Sequence, residues 1–294
     1  DGINFTMITN GLPSISQIGR MSIAVTADDT NYVYALTTNS SDNGFLGLYR
    51  STNGGSTFTL RANSPNIMGW NTSGTDSGGQ GWYDLALAVS PNNKNELFTG
   101  GVNVWKSTNG GSSFTANTRW NWPTGSYGYV HADIHTLDYF GNTLFCGSDG
   151  GIFKTSNAGN SWTDLTAGLE VTQFYRLGMS ATNAGTIIGG AQDNGCSLLK
   201  SGSWTHVTGG DGMECIVDYS DNNFIFSTSQ NGNIYRSSNG GASFSGITGS
   251  ISENGAWVTP YVIDPNTPTT LYAGYTNVFK TTNRGTSWLQ ISNF

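Results

Sequence analysis

Five octapeptides of one pattern recur along this chain of 294 residues: STNGGSTF from Ser51 to Phe58, STNGGSSF from Ser107 to Phe114, TSNAGNSW from Thr155 to Trp162, SSNGGASF from Ser237 to Phe244 and TTNRGTSW from Thr281 to Trp288. All fit [ST]-x-N-x-G-x-[ST]-[FW]. Two degenerate copies extend the series: Asp1-Gly2-Ile3-Asn4-Phe5 matches the last five positions, and Ser201-Gly202-Ser203-Trp204 reads as a shortened turn. From aromatic to aromatic the intervals are 53, 56, 48, 42, 40 and 44 residues. A period of about 40–50 residues filled with short strands implies an array of four-stranded units, the blades of a β-propeller.

Each interval carries three β-rich runs, such as Tyr83 to Val89, Glu96 to Thr99 and Val102 to Lys106, before the box. The box is then expected to turn the chain from the third strand into the fourth. Asn53, Asn109, Asn157, Asn239 and Asn283 supply a short amide that bonds its own backbone, and Gly55, Gly111, Gly159, Gly241 and Gly285 supply positive φ. Counting strands predicts an all-β propeller with six complete antiparallel blades and one orphan strand, Phe5 to Thr9. The orphan implies a seventh blade in the intact protein. Residues 1–294 then read as a single propeller domain, a fragment of a larger multidomain protein.

Composition narrows the function classes. The chain has 12 basic and 19 acidic residues and a formal charge of −7, with the basic residues scattered singly. Nucleic-acid binding needs clustered Lys and Arg and is not expected; no run of apolar residues is long enough to span a bilayer, so no membrane insertion is expected either. Three cysteines, Cys146, Cys196 and Cys215, are too few for a disulfide scaffold, and their odd number leaves at least one thiol over. The Asn, Thr, Ser and Gly-rich, Lys-poor composition suits an extracellular or cell-surface location.

Acids at the entrances of the inner strands are the first candidates for chemistry. Aligned on their boxes, Asp84 (GQGWYD), Asp133 (YVHADIH) and Glu214 (GGDGME) take equivalent positions. Carboxylates are poor strand formers and costly to bury. They either meet a ligand at the mouth of the channel or accept hydrogen bonds from the next blade. His131, Asp133 and His135 alternate, so on one strand they share a face and could hold a divalent metal, or form a polar ladder between blades. No other cofactor is expected. Trp82, Tyr83, Trp120 and Trp122, with Gln192, Asp193, Asn194 and Asp211, lie in long Gly-rich connections. Flat aromatic faces beside amides and carboxylates suit sugar binding; packing of the loops is the other use for them. Asp149 in GSDGG and Asp211 in GGDGM are turn formers first.

The box pattern resembles the Asp-box (BNR) repeat, with Asn at the usual Asp position. The strings GGVNVWKSTNGG, GSDGGIFKTS and GGAQDNG are similar to secreted, glycosyl-hydrolase-like BNR-repeat proteins of bacteria exported by the type IX route. More distantly the chain resembles xyloglucan-degrading and sortilin-type propellers. The resemblance implies attachment to further domains and a polysaccharide or surface-protein partner. In the xyloglucan-degrading enzymes the counterpart of Asp84 would be one of two catalytic carboxylates, the second coming from another propeller; in one propeller its partner would be Asp133 or Glu214. A sialidase is not implied, since Phe174-Tyr175-Arg176-Leu177 only echoes the arginine motif of that family. The expectation is therefore a non-catalytic adhesin-like module binding glycan or protein, with a polysaccharide hydrolase and an architectural spacer as alternatives.

Overall fold

In the computed structural model, residues 6–121 and 128–294 are described. They form two compact units, Asp1–Leu169 and Glu170–Phe294. Each unit holds three four-stranded antiparallel meanders. In the first unit they are β1 (Ile18–Val25), β2 (Val33–Asn39), β3 (Phe45–Ser51) and β4 (Thr59–Ala62); β5 (Ala86–Ser90), β6 (Asn93–Gly100), β7 (Val104–Ser107) and β8 (Thr115–Ala116); and β9 (Ile134–Phe140), β10 (Thr143–Ser148), β11 (Gly151–Thr155) and β12 (Thr163–Asp164). In the second they are β13 (Phe174–Met179), β14 (Ile187–Ala191), β15 (Gly195–Lys200) and β16 (Ser203–Thr208); β17 (Cys215–Val217), β18 (Ile225–Ser229), β19 (Asn233–Ser237) and β20 (Ser245–Gly246); and β21 (Tyr261–Ile263), β22 (Leu271–Gly274), β23 (Val278–Thr281) and β24 (Leu289–Gln290). The fold class is all-β, and the sheets are four-stranded propeller blades. No described helix is long and apolar enough to cross a membrane.

Every complete box joins the third strand of its blade to the fourth, through one repeated set of hydrogen bonds. In the first, Ser51 Oγ donates to Asn53 Oδ1 (2.8 Å), and Ser51 Oγ in turn accepts from the Gly55 N–H (2.9 Å). Asn53 Oδ1 also accepts from the Thr57 N–H (3.0 Å), while Asn53 Nδ2 donates to Thr57 Oγ1 (2.9 Å). Asn109, Asn157, Asn239 and Asn283 make the same bonds. The box glycine has φ between 79° and 90° in all five, a region that a Cβ makes costly. Ser201 and Gly202, also at positive φ, turn β15 into β16 where a box is missing.

Scattered basic residues tie neighbouring blades together. Arg61 Nε donates to the Gly110 carbonyl and Lys106 Nζ to that of Ala158; in the second unit Lys200 Nζ reaches Gly240 and Arg236 Nη1 reaches Arg284. Each bond runs from one blade to the box of the next, so these cations are spent on backbone carbonyls. Between the blades lie separate apolar layers, for example Tyr34, Leu36, Leu48, Leu97 and Trp105 between the first and second, and Phe98, Ile134, Leu144 and Phe153 between the second and third.

Two expectations are corrected. The orphan strand does not form among the described residues: Thr6 to Thr9 are in no sheet, and Phe5 lies outside the described residues, as does the rest of the truncated box. Residues 9–12 instead lie against the first box, where the Phe58 N–H donates to the Asn10 carbonyl (2.9 Å). Nor do His131, Asp133 and His135 alternate along one strand. β9 starts at Ile134, and Asp133 has φ 63°, which breaks the two-residue period before the strand begins.

Candidate functional site

In the first unit the sequence Gly78 to Asp84 crosses the first blade before entering β5. Its glycines are needed there: a Cβ on Gly79 would stand 2.4 Å from the Met68 carbonyl oxygen, and one on Gly81 2.2 Å from the Thr38 methyl. Close approach lets the Gly79 and Gly81 N–H groups bond the Asp42 and Asn43 carbonyls. The Gln80 carbonyl then accepts from both Tyr83 N–H (2.7 Å) and Asp84 N–H (3.0 Å), winding a tight turn. That turn drives Asp84 inward and leaves Trp82 outside. Arg20 on β1 braces it, donating from Nη1 to the Tyr83 carbonyl (2.7 Å).

Asp84 is fully buried, and neither of its carboxyl oxygens meets an N–H or O–H donor. The charge that bears most on it is the carboxylate of Asp133. Burial first, then the charge and hydrogen bond of Asp133, push Asp84 up to about 9. Asp133 is also raised, by burial and the charge of Asp149, against the bonds from Asp84 and Gln80. Asp133 Oδ1 accepts from Gln80 Nε2 (2.9 Å).

Asp149 occupies the β10–β11 hairpin turn and gathers the rest of the cluster. Its Oδ2 accepts from the Tyr83 hydroxyl (2.7 Å), and its Oδ1 lies 2.7 Å from His135 Nε2. The Tyr83 ring meets the His135 ring edge to face at 4.8 Å and stands 5.4 Å from the Trp82 ring. Trp82 itself is 63% exposed. In the same unit Trp120 donates from Nε1 to the Trp70 carbonyl (3.2 Å). Trp70 and Trp120 flank a cleft of about 270 Å³ that is also lined by Asn71, Thr72, Ser73, Arg119 and Asn121.

Of the three acids expected at the blade entrances, Asp84 has no exposed surface. Asp133 and Asp149 come together, but the ligand atoms of His131, Asp133 and His135 do not converge within 4.8 Å of one another, the spacing one ion would need. Trp122 lies outside the described residues.

In the second unit Gln192, Asp193 and Asn194 form the turn between β14 and β15, with Asp193 at φ 58°. Gln192 Oε1 accepts from the Tyr175 hydroxyl (3.1 Å), which in turn accepts from Trp257 Nε1 (3.3 Å). Asp211 is buried, and its Oδ1 accepts the Asp193 N–H (3.1 Å). Glu214 enters β17 and faces Arg176 Nε at 3.5 Å. Burial raises its carboxyl, and the Arg176 charge opposes the shift.

The sequence reading did not single out Trp70 or Trp257. Trp70 carried a usable signal: it precedes Asn71-Thr72-Ser73 in a connection as long and polar as the one that holds Trp120.

No protein-family model matches the chain, and no curated protein matches it. Among solved structures it is similar to the GH74 enzyme of Niastella koreensis, at 19% identity and a TM-score of 0.38 over 92% of this chain and 46% of that one. The GH74 xyloglucanase of Xanthomonas campestris is similar at 16% identity and a TM-score of 0.37, over 92% and 45%. YCF48 bound to D1 peptide is similar at 13% identity and a TM-score of 0.36, over 96% and 87%. The chain spans less than half the length of the first two.

Proposed function

We propose that this chain is a non-catalytic β-propeller module of a secreted or cell-surface protein, and that the loop surface of its first unit binds polysaccharide. One observation carries the reading: Trp70, Trp82 and Trp120, among the largest apolar side chains of the protein, are 42%, 63% and 39% exposed on Gly-rich loops. These rings are held rather than loose. Trp120 is tied to the Trp70 carbonyl, and Trp82 stacks beside Tyr83, whose hydroxyl is anchored on Asp149. Rigid flat rings bordered by amides and hydroxyls offer CH-stacking and hydrogen bonds to a pyranose at small entropic cost. Sparse charge and the Asn, Ser and Thr-rich composition agree with an extracellular setting.

Asp84 supports the same reading, because its buried carboxyl presents no surface to a ligand. Affinity electrophoresis against plant, algal and bacterial polysaccharides tests it. Retention by one polymer is expected, with retardation lost in Trp82→Ala or Trp70→Ala while the urea midpoint stays unchanged. Equal retention by both variants and the parent would remove the site. New reducing ends, lost in Asp133→Asn, would replace the binding module by a hydrolase.

A further inference from the structure

The second unit contains a feature that glycan binding does not use: two buried thiols in contact across a blade boundary. Cys196, on β15 of the fourth blade, and Cys215, the first residue of β17 in the fifth, have their sulfur atoms 3.5 Å apart. Both are buried, in an apolar layer with Ile188, Leu198, Val217 and Ile225. Glycines bring the two blades this close. A Cβ on Gly178 would stand 2.4 Å from the Cys215 carbonyl oxygen, one on Gly190 2.0 Å from that of Met213, and one on Gly212 2.0 Å from that of Gly195. Three close backbone approaches thus surround the sulfur pair and set its position from both sides.

We propose that Cys196 and Cys215 are joined by a disulfide between blades when the protein folds in an oxidising compartment. The sulfurs must close by about 1.5 Å to reach the bonded distance of ~2.05 Å, a movement within reach of side-chain rotation. The oxidant is a second disulfide, that of a dithiol oxidoreductase. The Cys196 thiolate attacks one of its sulfurs, forming a mixed disulfide and releasing one thiol. Cys215, as thiolate, then attacks the Cys196 sulfur and releases the other thiol. One S–S bond is made and one broken; two electrons pass to the reagent, and the two protons lost from the cysteines end on its thiols. Both cysteines are buried once the blades dock, so the exchange belongs to folding.

In the docked blades the two thiols act on one another. The S–H of Cys215 donated to it, aided by Thr208, holds Cys196 down at about 7, while the same bond and burial raise Cys215. Cys146, buried in the first unit, is pushed far up by its apolar surroundings and has no thiol beside it. It serves as an internal standard.

The test compares the whole chain exported to a bacterial periplasm with the same chain made in a reducing cytosol. Each is unfolded in denaturant with an alkylating reagent present, so that burial does not protect any thiol, and is then mapped by mass spectrometry. The exported chain should carry one label, on Cys146, and yield a Cys196–Cys215 cross-linked peptide; the cytosolic chain should carry three labels. Three labels on the exported chain would overturn the proposal, as would a cross-link through Cys146 or separate small-thiol adducts on Cys196 and Cys215. Polysaccharide retention is not read in this experiment, so failure of the binding site leaves the result untouched.

Discussion

Replacing Asp84 with Asn should make the protein less sensitive to pH, and the direction follows from the proton that Asp84 holds. Its folded-state value of about 9 lies above the ordinary 3.8, so between those limits the native state keeps a proton that the unfolded chain has released. Stability contributed by this group is fully present below pH 3.8, falls as pH rises, and stops falling only where the native carboxyl itself ionises, near pH 9. For one proton the slope is about 1.4 kcal/mol per pH unit. The amide variant has no such slope. Its side chain is a neutral isostere of the protonated acid. From pH 6 to pH 8, Asp84→Asn should therefore gain about 3 kcal/mol relative to the parent. Urea unfolding of both proteins at pH 5, 6, 7 and 8 measures this, and the difference between the two cancels all other titrating groups that they share. Parallel pH curves would refute the raised carboxyl of Asp84.

Other perturbations read the scaffold. Asn109→Ala removes the acceptor for both the Ser107 hydroxyl and the Ser113 N–H and should cost about 1–3 kcal/mol in urea unfolding, whereas Asn109→Asp keeps that acceptor and should stay within ~0.5 kcal/mol of the parent. Gly190→Ala sets a methyl 2.0 Å from the Met213 carbonyl oxygen and should destabilise the second unit by about 3 kcal/mol, read as a lower thermal midpoint. Arg284→Met leaves the carboxylate of Asp218, which has no exposed surface, without its 2.8 Å partner; a loss of about 3 kcal/mol is expected, and a change below ~1 kcal/mol would show that the Ser220 and Asp221 donors suffice.

The blades were legible because their information is local. A box is completed by bonds from Asn to residues two and four positions away, so its five matches sit at the same turn of five blades, and even the shortened Ser201-Gly202 copy turns β15 into β16. The site was legible only in outline. Trp82, Tyr83 and Asp133 do come together, but a two-residue period extended three positions ahead of β9 put His131 and His135 on one face with Asp133. Nothing in that stretch announces that Asp133 takes φ 63° or that the Ile134 N–H is claimed by the Gly101 carbonyl of the preceding blade.

The three acids at the blade entrances show where one-dimensional alignment stops. Asp84 stands two residues before β5, while Asp133 and Glu214 stand one residue before β9 and β17, so the alignment is right to within a residue. Their chemistry still diverges. Asp84 is forced inside by a glycine-lined turn and is raised to about 9; Asp133 accepts from Gln80; Glu214 finds Arg176, a guanidinium that pairs with neither Asp84 nor Asp133. Equivalent position in a repeat sets where a backbone goes. The protonation state is set by the neighbours that each loop delivers, and those loops are the part of the blade that does not repeat. Of the three, Asp84 is the one with no exposed surface, because its loop turns it inward.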